Sequence, residues 1–437
     1  MKYLHLKVAM GLALILIFAK AWALPDIQHW QTDNGIPVYF VAASELPIID
    51  IEIVFDAASS RDGEQAGIAL MTNAMLAEGA GGLSAEQLSD AFADAGAEFA
   101  NDSLRDMAWL SLRSLREDRY LQPALKHFLK ILGQPDFPPA AFARERQRVL
   151  QSLAYDKQSP AKLLSKAFYR NLYGSHAYAS PVYGTQNSLN ALSSADLKAF
   201  YEKYYVASNA VIAMMGAVEL KQAKALAQQI SQVLSPGQKP PALAAASQIA
   251  DAQTQHIDFP STQTHIRLGQ MGISRYAPDR FALSLANYTL GGGGLVSRLM
   301  HEVREKQGLA YSVYSRFSLM REAGPFVIGL QTRTDQTQHA ITLVRQILQD
   351  YVKTGPSTAE LQAAKDNMTG GFALMLDSNA KILSNLALIG FYGLPLDYLH
   401  TWQDKVRAVT LEQVREALKK HLNPEKMLLI TVGKDSH

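Results

Sequence analysis

Residues 291–317 read GGGGLVSRLMHEVREKQGLAYSVYSRF, and a change of period inside this stretch decides the fold class. Four glycines open it. Val296, Leu299, Met300 and Val303 then recur at i, i+3, i+4 and i+7, one apolar face of an α-helix. Gly308 stands where a helix end needs a residue tolerant of positive φ. Beyond it the period becomes 2. Tyr311, Val313, Ser315 and Phe317 share one face of a strand, and Ser312, Tyr314 and Arg316 the other. The expectation is loop, helix, tight stop, strand. Arg304, in the last helical turn, and Tyr311, near the start of the strand, then come to one place.

Several chemistries are open to such a stretch. A phosphate-cradling loop needs Lys and Ser or Thr at its end, whereas Leu295-Val296-Ser297-Arg298 follows the glycines. Arg304 could simply complement the helix dipole, and Tyr311 could be an ordinary strand aromatic.

Working outward, the second half of the chain repeats the first. Residues 191–197 (ALSSADL) align with 408–414 (AVTLEQV) at an offset of 217 without a gap, and 211–216 (VIAMMG) fall opposite 428–433 (LLITVG). Each copy reads as a helix capped by Ser193 or Thr410, a polar turn, and an apolar strand. So long a period is a duplicated domain, since solenoid repeats run to roughly 20–50 residues.

In the first half, residues 35–41 read as a turn entering a strand. Ile49, Ile51, Ile53 and Phe55 alternate with Asp50, Glu52, Val54 and Asp56 as a half-buried strand. Residues 67–78 read as a helix ended by Gly79, Gly81 and Gly82. Ser84 and Gln87 form a capping box. A strand over 107–115 and helices over 120–132 and 139–155 follow. The class is therefore α+β: two homologous domains, each a mostly antiparallel sheet with helices on one face. The expected division is 1–23 signal peptide, 24–234 first domain, 235–255 exposed Pro- and Ala/Gln-rich linker, and 256–437 second domain.

The chain has 437 residues, 48% of them hydrophobic and 19% charged, as expected of globular domains with a sizeable core. Lys2 and Lys7, an apolar run over 8–19, and Ala21-Trp22-Ala23 form an export signal cleaved after Ala23. The run is too short to span a bilayer and no second one follows, so no transmembrane segment is expected after cleavage. Cleavage removes Lys2, Lys7 and Lys20 and takes the formal charge from +2 to −1. That balance gives no support for nucleic-acid binding. The absence of cysteine excludes disulfides, thiol nucleophiles and thiolate ligands, and is compatible with a bacterial periplasm.

Arg304-Glu305-Lys306-Gln307-Gly308-Leu309-Ala310-Tyr311 resembles the R-E-x-x-G-L-A-Y motif of the pitrilysin/insulinase zinc peptidases, the family of the mitochondrial processing peptidase. The resemblance covers nearly all of the mature chain. It implies two similar halves, and an Arg and a Tyr that contact substrate near the scissile bond. It also implies H-x-x-E-H on the helix after the second strand, two His for Zn²⁺ and a Glu as general base. Here that helix reads GIALMTNAML over 67–76. Gly67, Ala69, Met75 and Leu76 match the family pattern, whereas the three working positions are Leu70, Asn73 and Ala74. The neighbourhood of the third ligand, a Glu in the family, is Leu150-Gln151-Ser152-Leu153. None of the eleven His lies three or four residues from another. His301 reads as exposed or locally bonded, and His176 as structural.

Some members of that family divide labour between a zinc-bearing chain and one that keeps only the Arg/Tyr motif. The resemblance therefore implies a non-catalytic subunit of an exported heteromeric zinc peptidase. Zinc would sit in an H-x-x-E-H partner, with none in this chain. Unfolded peptide would be the substrate, and Arg304 and Tyr311 would bind it. The alternative is an inactive scaffold or peptide-binding protein of the same fold.

Overall fold

The computed structural model describes residues 26–435; the signal segment expected over 1–23 lies outside them. Two sheets carry the molecule. The first is built from β1 (Gln28–Gln31), β2 (Pro37–Ala42), β3 (Ile48–Phe55), β6 (Glu98–Ser103), β7 (Ala108–Leu115) and β8 (Ala210–Gly216), in the order β1-β2-β8-β3-β7-β6. β4 (Gly79–Ala80) and β5 (Leu83–Ser84) form a small separate hairpin. The second sheet is built from β9 (Gln253–Asp258), β10 (Gln263–Met271), β11 (Val313–Phe317), β12 (Pro325–Arg333) and β13 (Leu428–Gly433), ordered β11-β12-β10-β13-β9. Read backwards, that order matches β2-β8-β3-β7-β6 strand for strand. The pairing agrees: β8 runs parallel to β2 and antiparallel to β3, and β13 parallel to β9 and antiparallel to β10.

The offset of 217 holds in three dimensions. Helices Ser194–Tyr204 and Leu411–His421 both begin with a capping box, Ser193 with Asp196 and Thr410 with Gln413. Each box satisfies two orphan N–H groups and fixes where the helix starts. The register extends the match to single residues. Glu52 faces Ala213 in the first sheet and Arg267 faces Ile430 in the second, so Glu52 and Arg267 hold equivalent places.

Each half packs its own helices on one face of its own sheet. Val38, Phe40, Ile49, Ile51, Ile53 and Phe55 meet Ile68, Met71, Met75 and Phe128. Ile266, Leu268, Phe326 and Ile328 meet Leu283, Val344 and Leu348. The other face of each sheet is covered by a helix from the other half. Helix Asn379–Tyr392 lies across Tyr39, Val41, Val54, Val211 and Met215 through Leu383, Leu386 and Ile389. Helix Pro160–Tyr173 lies across Met271, Val327, Ile430 and Val432 through Leu164, Phe168 and Leu172. The half-buried strand expected over 49–56 is thus covered on both faces, and Asp50 is buried in an ion pair with Arg113 at 2.6 Å.

A buried polar knot ties the halves. The Asp106 carboxylate accepts from the hydroxyls of Tyr178 and Tyr392 and from Arg321 N at 2.7 Å. Residues 235–255 are less free than an exposed linker. Leu243, Ala246 and Ile249, three apart in a segment without helix or strand, pack against the second sheet's exchanged-helix core. The Arg61 guanidinium donates to Pro241 O at 2.8 Å, and the last three residues of the segment begin β9.

Candidate functional site

The stretch 291–317 folds largely as its periodicity predicts, with three differences. Residues 300–306 wind as a wide π-helical turn rather than a regular α-helix, a rare local device that is frequent at functional sites. Leu299, Met300 and Val303 are buried, but Val296 is 76% exposed because it falls in a short 3₁₀ turn ahead of the helix. The strand begins at Val313, so Tyr311 precedes it in a bend and is 86% exposed. Gly308 takes φ +62°. Gly291 is needed for a different reason: a Cβ there would lie 2.5 Å from Ser315 N on β11. Ser315 Oγ in turn donates to Asn287 Oδ1 at 2.8 Å and fixes the strand against the preceding helix.

This frame brings Arg304 and Tyr311 together. The Arg304 guanidinium lies over the Tyr311 ring, 5.0 Å from its centroid. No hydrogen bond or ion pair engages either side chain among the described residues, so the guanidinium fork and the phenol are available to a ligand. Arg298, six residues earlier, shows the opposite state. It holds Glu360 with two 2.7 Å hydrogen bonds and donates to Gly355 O at 3.1 Å. Its guanidinium holds the Glu360 carboxyl down to about 2. Arg298 fastens the start of the helix, and Arg304 is left free at its end. His301 is exposed and bonded to Glu305 at 2.8 Å. His176 accepts from Tyr178 N at Nδ1, and its Nε2 lies 2.8 Å from Ala244 O, anchoring the segment between the halves.

The helix Ile68–Met75 presents a different picture. Leu70 packs against the first core, and Ala74 has no polar group. Asn73 is buried in an amide network that the sequence does not reveal. Its Nδ2 donates to Tyr205 OH at 3.2 Å, and Asn101 donates to Asn73 O at 2.6 Å and to Oδ1 at 3.0 Å. Asp62 caps the helix, accepting from Gly67 N and Ala69 N, and burial pushes its carboxyl up to about 6. An Asp ahead of a helix start is a signal that could have been read. The pairing of Asn73 with Tyr205 spans 132 residues and has no local signature. Among the described residues no three His, Cys, Asp or Glu come together as a metal-binding group. Leu70 and Ala74 offer no donor atom, and the Asn73 amide is already engaged, so this face does not fit a zinc ion.

Comparison with known proteins bears on both regions. Residues 42–186 match the model described as Insulinase (Peptidase family M16), and residues 191–368 match the Peptidase M16 inactive domain. A crystal structure described as a peptidase M16 inactive domain from Pseudomonas fluorescens is 42% identical. The match covers 94% of this chain and 99% of that one, with a TM-score of 0.91. The chain belongs to the M16 peptidase family. M16 relatives differ in what they are named for. An uncharacterized zinc protease of Streptomyces coelicolor is 29% identical, the match spanning 55% of this chain and 54% of the relative. One from Mycobacterium tuberculosis is 30% identical, with 64% of each chain covered. The chain thus spans roughly half to two thirds of the length of these curated relatives. The non-peptidase homolog YmxG of Helicobacter pylori is 24% identical, with 90% of this chain and 91% of that protein covered. The helix carrying Leu70, Asn73 and Ala74 falls within the residues matched by the Insulinase (Peptidase family M16) model, and Arg304 and Tyr311 fall within those matched by the inactive-domain model.

Proposed function

We propose that this M16 chain is a non-catalytic, substrate-binding subunit of an exported zinc metallopeptidase, acting with a second chain that carries H-x-x-E-H. The observation that carries this reading is the Arg304–Tyr311 pair, with the guanidinium over the ring and neither side chain hydrogen-bonded or ion-paired among the described residues. It stands in a chain whose metal face has become Leu70, Asn73 and Ala74. Zinc belongs to the partner, and this chain holds no metal of its own. Arg304 donates through its planar fork to a peptide carbonyl or carboxylate. Tyr311 donates its hydroxyl to the oxyanion that forms when the scissile carbonyl is attacked in the partner's site. The leader over 1–23 directs the complex out of the cytoplasm, and among the described residues no single helix is long and apolar enough to cross a membrane.

The test is an affinity pull-down of the tagged mature chain from its own host's envelope extract, with bound proteins identified by mass spectrometry. A near-equimolar companion bearing H-x-x-E-H is expected. Stoichiometric zinc in the isolated chain would contradict the assignment. The second reading, a scaffold or peptide-binding protein without a peptidase partner, is supported by the near-full-length match to a non-peptidase homolog. Recovery of the chain alone, or only with itself, would decide for it.

A further inference from the structure

A cavity of about 300 Å³ lies between the end of helix Pro139–Asp156, the start of helix Pro160–Tyr173 and the loop over residues 179–186. Its volume is about ten waters at roughly 30 Å³ each, room for one large side chain and its backbone. Leu150, Leu153, Leu163, Val182 and the rings of Tyr169 and Tyr183 line it. Leu150 and Leu153 bracket the neighbourhood where a third metal ligand was expected.

Its charge is lopsided. Arg105, Lys157, Lys162 and Lys166 line it against a single carboxylate, Asp156. The three lysines have no ion-pair partner among the described residues. Arg105 is half-buried over the Tyr169 ring, 4.2 Å from its centroid. Its Nη1 donates to the carbonyls of Tyr178 and Ser180, while no acceptor meets its Nη2 among the described residues. A half-buried guanidinium with a free donor beside an apolar hollow is matched by a carboxylate that carries an apolar group.

The cavity wall is joined to the degenerate metal helix. Ser180 Oγ donates to Asp62 Oδ2 at 2.9 Å, and Asp62 caps helix Ile68–Met75. Gly184 packs so closely on the start of that helix that a Cβ would lie 2.5 Å from Ala66 O. A chain end held here is therefore held close to the start of helix Ile68–Met75.

We propose that this cavity takes the C-terminal residue of a bound peptide, with its α-carboxylate held by Arg105 and the rim lysines and its apolar side chain in the hollow. The choice of a peptide end over a small free acid rests on the peptide-binding reading given above. The test uses the mature chain alone and an N-terminally dye-labelled hexapeptide ending in Phe, followed by fluorescence anisotropy. The free acid is expected to bind, and the C-terminal amide and a peptide ending in Asp to bind at least roughly tenfold more weakly. Lys162→Glu with Lys166→Glu should weaken the free acid to a similar degree. Ala154→Trp, at an exposed position on the rim, should fill the hollow and abolish binding. Equal binding of acid and amide, or undiminished binding by Ala154→Trp, would overturn the proposal. Decanoate binding without peptide binding would also overturn it and give the cavity to a small acid. Because no partner chain is present, these outcomes stand apart from the pull-down, which decides the subunit assignment alone.

Discussion

The two halves share a sheet, a strand order and a capped helix at an offset of 217, yet their working regions have diverged in opposite directions. On the first-half helix, the positions where the resemblance implies zinc ligands and a base are absorbed into packing. Leu70 joins the core and Asn73 closes an amide network with Tyr205 and Asn101. In the second half no hydrogen bond or ion pair engages the Arg304 guanidinium or the Tyr311 hydroxyl among the described residues. A residue absorbed into packing contributes stability and leaves nothing for a ligand. A residue left open contributes little stability and can only matter through what it binds. Substitutions should therefore move stability in one half and function in the other.

The largest expected effect is on the open side. On the proposed subunit role, Tyr311→Phe should lower turnover of the complex with a zinc-bearing chain by on the order of 10²–10³. It should shift denaturant stability by no more than about 0.5 kcal/mol, because the ring is exposed. Full turnover would end the assignment of Tyr311, and a large loss of stability would break the contrast itself.

Next comes the matched pair under the exchanged helices, Glu52 and Arg267. Burial, with no hydrogen-bond partner among the described residues, pushes the Glu52 carboxyl up from 4.5 to about 7. A raised carboxyl keeps its proton longer in the folded chain. Its contribution is full below pH 4.5 and is lost as pH rises through 7, on the order of 3 kcal/mol in all. Glu52→Gln should flatten that slope in pH-resolved urea unfolding, and Arg267→Met should leave it as it is.

A smaller change is expected from Asn73→Leu. It strips the Tyr205 hydroxyl and one hydrogen of Asn101 of their partner and should cost about 1–3 kcal/mol by chemical denaturation. Partner capture should be unaltered. The smallest is Arg304→Met, which removes an exposed cation–π contact worth about 0.5–1 kcal/mol. Calorimetry should show a shift of that size at most, while peptide binding by the complex weakens.

Much of this contrast was legible before the fold was known. The switch from period 3.6 to period 2 around Gly308 placed the turn, and the repeat located matching helices and strands, because caps and apolar alternation are local signals. The stacking of Arg304 on Tyr311 followed from a helix folding back into a strand. Val296 misled: its spacing fitted the buried face, but a separate turn ends before the helix begins. The Asn73 network, the Asp106 knot and the cavity around Arg105 were invisible. Each depends on residues far apart in sequence, where no periodicity records the contact. The exchange of helices was equally hidden, since an apolar helix shows that it covers something without showing what.

That exchange has a consequence for the chain as it is made. The first sheet is complete in sequence once Gly216 has been synthesised, but the helix that covers its outer face ends at Tyr392. At about 5–20 residues per second, the intervening 176 residues take roughly 10–35 s. Through that interval Tyr39, Val41, Val54, Val211 and Met215 have no native cover. A nascent chain that binds a holdase, or is kept unfolded for export, escapes aggregation at this surface. Truncations ending between 217 and 378 should accordingly be insoluble, whatever their fate at the Arg304 site.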